Sequence, residues 1–147
     1  PLYVIDEADA RARAARTRAA FTAAAERHGS SAAVYYASKA FLCGEVARWM
    51  VDAGLNLDVA SGGELAVALA AGVEPARLGL HGNNKSLAEI DRAVAAGVGA
   101  IVIDSLIEVE RVAAAAERHG RVQPVRLRIN SGVHAHTHEY LATARED

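Results

Sequence analysis

The segment VYYASKAFLCGEV, which runs from Val34 to Val46, changes its pattern around one lysine. The valine and tyrosines at its start are typical of a half-buried β-strand. Apolar residues at helical spacing begin at Phe41 and indicate an amphipathic helix. Lys39 therefore lies at the carboxyl end of a predicted strand, where it is either a solvated loop residue or a functional group. Lysines are usually exposed, so a functional role needs further evidence.

This change from strand to helix recurs along the chain. Five short apolar segments occupy residues 33–37, 57–60, 77–81, 100–104 and 125–129, and their late positions are 23, 21, 23 and 26 residues apart. Helical patterns separate them at residues 41–53, 62–71, 87–96 and 106–119. Because parallel strands need a crossover connection, this alternation with short links predicts a parallel sheet in an α/β fold.

Capping residues mark the ends of the predicted helices. The segments SGGE, SLAE and SLIE begin at Ser61, Ser86 and Ser105, and each matches the capping-box pattern. SGGE also resembles a phosphate-binding turn, because glycine amides at a helix start bind anions. The capping interpretation is favoured for all three segments. Glycines suited to a left-handed C-cap follow the helical patterns at Gly54, Gly72, Gly97 and Gly120.

The repeat fits a (β/α)8 barrel better than a Rossmann sheet. A Rossmann unit begins with a Gly-x-Gly-x-x-Gly turn, and ASKAFLCG after the first strand is not one. A complete barrel takes about 250 residues, so five predicted strands in 147 residues represent the first five strands of such a barrel. We expect residues 1–30 to hold a leading strand, PLYVID, and a first helix. The barrel portion is expected to span residues 31–147.

The charge and composition of the chain indicate which kinds of partner and which location to expect. The net charge is −2 and the 16 lysines and arginines are scattered, so we expect no nucleic-acid partner. We expect no signal peptide, and the sequence contains no apolar run long enough to span a membrane. The single cysteine, Cys43, cannot form an internal disulfide, which fits a cytoplasmic location.

Polar residues gather where the predicted strands end, and barrel enzymes place their chemistry at these ends. The serines among them are assigned to helix capping. Lys39 cannot cap a helix amino end, because its charge opposes the helix dipole, so a functional role is favoured for it. From the first strand to the fifth, these residues are Lys39, Asp58, Ser61, His81, Asn83, Asn84, Lys85, Asp104, Ser105, Arg128 and Asn130.

Four segments carry a resemblance to a known family: YYASKAFLCGEVARW, LDVASGGELAVAL, LHGNNKSLAEIDRAV and GVHAHTHEYLATARED. They resemble the diaminopimelate decarboxylases, which belong to the fold-type III enzymes that depend on pyridoxal phosphate (PLP). That superfamily shares a barrel with alanine racemase and ornithine decarboxylase. The Tyr-Ala-x-Lys motif is common to many of its members, whereas HGNNKS and HTHEY are narrower signals. The resemblance runs over the whole chain and implies PLP as the cofactor.

The resemblance also implies roles for individual residues. Lys39 is implied to attach PLP covalently, which requires a deprotonated amine. Asp58 is implied to lie close to Lys39 and to stabilise its ammonium form, and Ala37 to pack near the cofactor. Arg128 is implied to approach the PLP ring and its phenolic oxygen.

The remaining candidates have lesser roles. His81 and Asn83 are expected at the rim of the cofactor site. The HAHTH segment places His134, His136 and His138 on one face of an extended chain, as a metal site would need. The resemblance assigns this segment to an active-site loop instead, and we expect no metal.

For the intact protein, the resemblance implies a homodimer that converts meso-2,6-diaminopimelate to L-lysine and CO2, the final step of lysine biosynthesis. A carboxy-terminal β-domain completes the site across the dimer interface in this family. We expect that domain to lie outside these 147 residues, and the leading strand to pair with it. The 147 residues alone are therefore expected to be inactive. Two alternatives stay open: a fold-type III decarboxylase of another basic amino acid (ornithine, lysine or arginine), and a non-catalytic half-barrel.

Overall fold

A computed structural model describes residues 1–129 of the chain. Single turns of 3₁₀ helix occur at Ser38–Ala40 and Pro75–Arg77. The strands in this part of the chain are β1 Tyr35–Ala37, β2 Asn56–Val59, β3 Leu78–Leu80, β4 Ala100–Ile103 and β5 Val125–Leu127. The helices are α1 Glu7–Glu26, α2 Gly44–Asp52, α3 Gly62–Ala70, α4 Leu87–Ala96 and α5 Leu106–Arg118.

The predicted helices and barrel strands are confirmed in type and order, with two differences at the beginning of the chain. Residues 1–6 hold no regular secondary structure, and their predicted pairing with a separate β-domain stays a prediction. The second helix begins at Gly44 instead of residue 41, because Phe41 and Cys43 have extended backbone angles. The Tyr36 hydroxyl donates to the Phe41 carbonyl at 2.7 Å and holds this segment out of the helix.

The strands form one parallel sheet in the order β1-β2-β3-β4-β5. Each strand pairs with the next along the chain, so that Ala37 lies opposite Asp58, and Asp58 lies opposite Gly79. A Rossmann sheet would place its first strand in the middle of the order. The predicted α/β sheet without reversal is therefore confirmed, and it corresponds to the first part of a (β/α)8 barrel.

The sheet is curved, as one contact between its two edge strands shows. β1 and β5 are four strand spacings apart, which is about 19 Å in a flat sheet. Yet Arg126 Nη2 donates to Tyr35 Oη at 2.8 Å, and the guanidinium carbon lies 4.8 Å from the centre of the Tyr35 ring. Upright side chains on a flat sheet would not meet over that separation. The sheet face that carries Tyr35, Asp58, Gly79 and Arg126 is therefore concave.

The helices cover the opposite, convex face of the sheet. Apolar side chains of the strands point into this layer, where burial removes them from water and stabilises the fold. The polar residues that alternate with them along the strands are left for the concave face. The buried strand residues of this core include Leu57, Val59, Leu78, Leu80, Ile101 and Ile103, and they meet Leu65, Ile90, Val94 and Val112 of the helices.

Leu80→Ala is expected to lower the free energy of unfolding by about 2–5 kcal/mol, because it removes a buried side chain and leaves a cavity in the core. Leu80 is 1% exposed, whereas Leu87 at the start of α4 is 62% exposed. Leu87→Ala is the matched control and should change stability by no more than about 0.5 kcal/mol. Urea denaturation measures both variants, and equal effects would contradict this placement of the core.

The predicted capping boxes are realised to different degrees. In α4 the box is complete: Ser86 Oγ accepts from the Glu89 amide at 3.2 Å, and Glu89 Oε2 accepts from the Ser86 amide at 2.8 Å. At α3, Ser61 Oγ accepts from the Glu64 amide at 3.2 Å. The Glu64 carboxylate accepts from the Ala60 amide instead of the Ser61 amide, so this box is shifted by one residue.

The predicted capping box at Ser105 is wrong. The Ser105 side chain makes no capping hydrogen bond, and Glu108 turns inward, where it is 2% exposed. The Glu108 carboxylate accepts from the Asp104 amide and lies 2.9 Å from Lys85 Nζ, so a buried ammonium group attracts it away from the Ser105 amide. The four predicted C-cap glycines are confirmed, since each has a positive φ angle.

Glu89→Gln is expected to reduce stability at neutral pH and to flatten its decline in acid. Hydrogen bonds from the Ser86 amide and hydroxyl, and from the Gly62 amide at 2.6 Å, lower the pKa of Glu89. A lowered folded-state pKa adds stability above the unfolded value of about 4.3, and that stability is lost as the pH falls through the folded-state pKa. Urea unfolding at a series of pH values measures this, with Glu110→Gln at an exposed position as the control. A profile for Glu89→Gln identical to that of the parent would contradict this account.

Candidate functional site

The chain contains two lysines, and the structure gives them opposite environments. Lys39 is exposed at the carboxyl end of β1, within the turn Ser38–Ala40. Lys85 is only 3% exposed, and its Nζ lies 2.9 Å from Glu108 Oε2. Of these two amines, the Lys39 amine is the one open to a carbonyl compound at the strand ends.

Tyr36 positions the turn that carries Lys39. Its hydroxyl bond to the Phe41 carbonyl ties β1 to the residue that follows the turn. Burial raises the pKa of Tyr36, so the phenol keeps its proton and remains a donor well above neutral pH. The turn that carries Lys39 is therefore fixed at both of its ends, while the Lys39 side chain stays exposed.

Asp58 and His81 meet at the ends of β2 and β3. Asp58 Oδ1 lies 3.0 Å from His81 Nε2. The Asp58 side chain is 26% exposed and the His81 side chain is 33% exposed, so both are largely buried. Burial raises the pKa of the Asp58 carboxyl above its ordinary value. The charges of His81, Lys39 and Arg126 oppose that rise, which places all three close to the carboxylate. The predicted role of Asp58 toward Lys39 stays a prediction.

Asp104 and Arg128 form a second pair, at the ends of β4 and β5. Arg128 Nη1 donates to Asp104 Oδ2 at 3.2 Å. The Asp104 side chain is 7% exposed and that of Arg128 is 45% exposed, so a buried carboxylate holds an accessible guanidinium. We refer to Lys39, Asp58, His81, Asp104 and Arg128 together as the strand-end site.

The other two predicted site residues lie beside this group. Ala37 is exposed and lies opposite Asp58 in the register of β1 and β2, on the concave face. Asn83 is exposed in the loop between β3 and α4. Their positions suit contact with a ligand, and their roles stay predictions.

The start of α3 is occupied by the protein itself. The amides of Ala60, Gly62 and Glu64 donate to Glu64, Glu89 and Ser61 respectively. Amides that already have acceptors are not free to cradle a phosphate. The capping interpretation of SGGE is therefore confirmed.

Two features of the site were not predicted from the sequence. Arg126 stacks on Tyr35 below the strand-end site, and the alternation in VRLRI places Arg126 and Arg128 on the same face of β5. That alternation could have predicted that Arg126 lies on the same face as the candidate residue Arg128. The other feature is the buried pair of Lys85 and Glu108, for which the sequence offers no comparable signal, because each residue also fits a solvated loop or a helix cap.

Two buried oxygen atoms test whether the site suits PLP. Within residues 1–129, Ser38 Oγ and Asp104 Oδ1 have no hydrogen-bond partner. Buried polar atoms normally have partners, so unpaired ones at the strand ends indicate an external polar group. PLP carries a carbonyl, a phenolic oxygen and a ring nitrogen, and an amine, two carboxylates and a guanidinium are suitable partners for these. The residues present therefore fit the cofactor.

Some sequence predictions lie outside the described residues, among them Asn130 and the histidines His134, His136 and His138. Within residues 1–129, no three His, Cys, Asp or Glu side chains gather as a metal site. No helix in this part of the chain combines the length and apolar character needed to cross a bilayer.

A family model and the named relatives of this chain agree on the family to which it is similar. A family model described as "Pyridoxal-dependent decarboxylase, pyridoxal binding domain" matches residues 12–147. The diaminopimelate decarboxylase of Mycobacterium tuberculosis is 57% identical over all 147 residues. The chain spans 31% of the length of that relative.

Solved structures resemble the chain in fold as well as in sequence. The crystal structure of diaminopimelate decarboxylase from M. jannaschii matches with a TM-score of 0.81 and 32% identity, over 94% of this chain and 32% of its own. The Helicobacter pylori diaminopimelate decarboxylase, in complex with L-lysine, matches with a TM-score of 0.77 and 26% identity, over 90% of this chain and 33% of its own.

Proposed function

The chain belongs to the family of pyridoxal-dependent decarboxylases, as part of their pyridoxal-binding domain, and from this we propose that the intact protein decarboxylates meso-2,6-diaminopimelate to L-lysine and CO2. The identity to diaminopimelate decarboxylases over the whole chain supports this substrate. The related H. pylori enzyme binds L-lysine, which is the expected product. One observation carries the assignment of the cofactor: of the two lysines, the exposed one lies at the strand ends.

Lys39 is proposed to hold the cofactor covalently through its amine. The amine must lose its proton before it can attack a carbonyl carbon. Asp58 lies close enough for the two charges to interact, and it forms a carboxylate–imidazole pair with His81 that can accept or return a proton. Ala37 presents a small side chain beside Asp58, which leaves room for a flat ring on the concave face.

Arg128 is proposed to orient the ring through its phenolic oxygen. The Arg128 guanidinium is accessible. Its hydrogen bond to the buried Asp104 carboxylate fixes the direction in which the planar guanidinium group points. His81 and Asn83 would then line the rim. When bound, PLP supplies the electron sink that takes up the electron pair left by the departing carboxylate.

Product analysis of the intact protein with PLP tests the substrate. We expect CO2 and L-lysine from meso-diaminopimelate, and no CO2 from L-lysine, L-ornithine or L-arginine at equal concentration. CO2 from one of those three instead would assign the protein to another basic amino acid decarboxylase. No CO2 from any substrate, with PLP bound, would favour a non-catalytic role.

We propose further that the intact protein is a cytoplasmic homodimer, and that residues 1–6 pair as a strand with a separate β-domain. The apolar side chains of Leu2, Tyr3 and Val4 are more than four-fifths exposed in this chain, which leaves them available for such pairing. Light scattering measures the mass of the intact protein, and a monomer would contradict the proposed assembly.

A further inference from the structure

Lys85 and Glu108 form a buried ion pair that joins two loops at the strand ends. Their side chains are each 2% exposed, and Lys85 Nζ lies 2.9 Å from Glu108 Oε2. Lys85 belongs to the loop between β3 and α4, and Glu108 to the first turn of α5, after β4. Desolvation offsets most of the attraction in such a pair, and apolar side chains of similar size often stabilise a protein equally well. A role in positioning therefore explains the pair better than stability does.

The Lys85 end of the pair fixes the loop after β3. Lys85 Nζ also donates to the Gly82 carbonyl, and Gly82 directly follows His81. Gly82 has a φ angle of 117°, and a Cβ atom at this position would lie 3.2 Å from the Ala60 carbonyl oxygen. The loop is thus held between Lys85 and the end of β2, and this places His81 against Asp58.

The Glu108 end of the pair fixes the end of β4. Glu108 Oε2 accepts from the Asp104 amide at 2.9 Å. The Asp104 side chain in turn accepts from Arg128. One buried pair therefore reaches both charged pairs of the strand-end site through the backbone, on one side at Gly82 and on the other at Asp104.

We propose that the Lys85–Glu108 pair is a positioning element of the cofactor site, which presents His81 to Asp58 and Asp104 to Arg128. This inference rests on the proposed function of the strand-end site. Lys85 and Glu108 are buried, so they act through these neighbours and not by contact with substrate. Loss of the pair should shift the loops while the helical core remains intact.

The test uses the double variant Lys85→Met/Glu108→Gln in the intact protein. It removes both charges at similar side-chain size, so no unpaired charge is left buried and the fold should persist. We expect its affinity for PLP to fall about tenfold, as a small misplacement of binding groups would cause, while the thermal midpoint stays near that of the parent. Asp91→Asn is the control, because Asp91 joins α4 to α5 through Arg118 and His119. It should bind PLP like the parent.

A second measurement separates positioning from a purely structural role. If the pair acts through Arg128, the double variant should reduce PLP affinity less in an Arg128→Lys background than in the parent, because changes in one network are not additive. Fully additive losses, or an unchanged PLP affinity of the double variant, would overturn the proposal. If the double variant does not fold, Glu108→Asp takes its place, since it keeps the charge and shortens the reach to Lys85 and the Asp104 amide.

Hydrogen exchange at the Asp104 amide distinguishes this inference from the proposed function. The amide should exchange at least about tenfold faster in the double variant, because its acceptor is weakened. A parent protein that binds no PLP would refute the proposed function, and the exchange rate would then decide the positioning role alone. An unchanged exchange rate at the Asp104 amide would overturn the positioning role of the pair.

Discussion

Lys39→Ala is expected to abolish the borohydride-reducible attachment of PLP to this chain and to reduce turnover of the intact protein by roughly a thousandfold or more, as for other covalent catalytic residues. The reason is the environment of the two lysines. Lys39 is exposed at the end of β1, and Lys85 is buried against Glu108 and cannot replace it. Visible absorbance measures the attachment, and CO2 release measures turnover.

Lys39→Arg is the matched variant, because it keeps a positive charge near Asp58 but has no primary amine to attach PLP, and its guanidinium stays protonated. We expect it to be as inactive as Lys39→Ala, with a thermal midpoint near that of the parent. Full activity of either variant would show that another amine holds the cofactor. Unfolding of Lys39→Arg alone would indicate a structural lysine instead.

Arg128→Lys is expected to reduce kcat/KM by about ten- to a hundredfold while the fold persists. Arg128 presents a planar fork whose direction is set by the buried carboxylate of Asp104. A lysine keeps the charge but cannot bond Asp104 and a phenolic oxygen in the same plane. Steady-state kinetics and the visible spectrum of bound PLP measure the change.

Arg118→Lys provides the control for this substitution. Arg118 also bonds a carboxylate, Asp91, at 2.7 Å, but at the far end of α5 from the strand-end site. Its replacement should leave kcat/KM within about twofold of the parent, as expected for an exposed pair. Equal kinetics for Arg128→Lys and the parent would place Arg128 in a structural role.

The type and order of the helices and strands were predictable, because short local sequence patterns determine them. Apolar segments, capping serines and C-cap glycines predicted all five strands and the helices between them. The start of α2 was not predictable from such patterns, because a tertiary hydrogen bond from Tyr36 to Phe41 keeps that segment extended. Propensity alone cannot report a bond of this kind.

The strand-end site was predictable in part for a related reason. Parallel strands bring their carboxyl ends to one edge, so Lys39, Asp58 and Arg128 could be placed there from position alone. The direction of a side chain depends on its partners. Glu108 was expected to cap its helix and instead turns to Lys85, 23 residues earlier in the chain. Long-range pairs of this kind require the fold before they can be recognised.

The most direct test of the central claim is to find where PLP attaches. The intact protein would be loaded with PLP, reduced with borohydride and digested, and the modified peptide identified by mass spectrometry. We predict that the pyridoxyl group lies on Lys39, within the peptide that contains YYASK. Modification of Lys85 or of any other lysine in place of Lys39, or the absence of a modified peptide, would contradict the assignment of the strand-end site as the cofactor site.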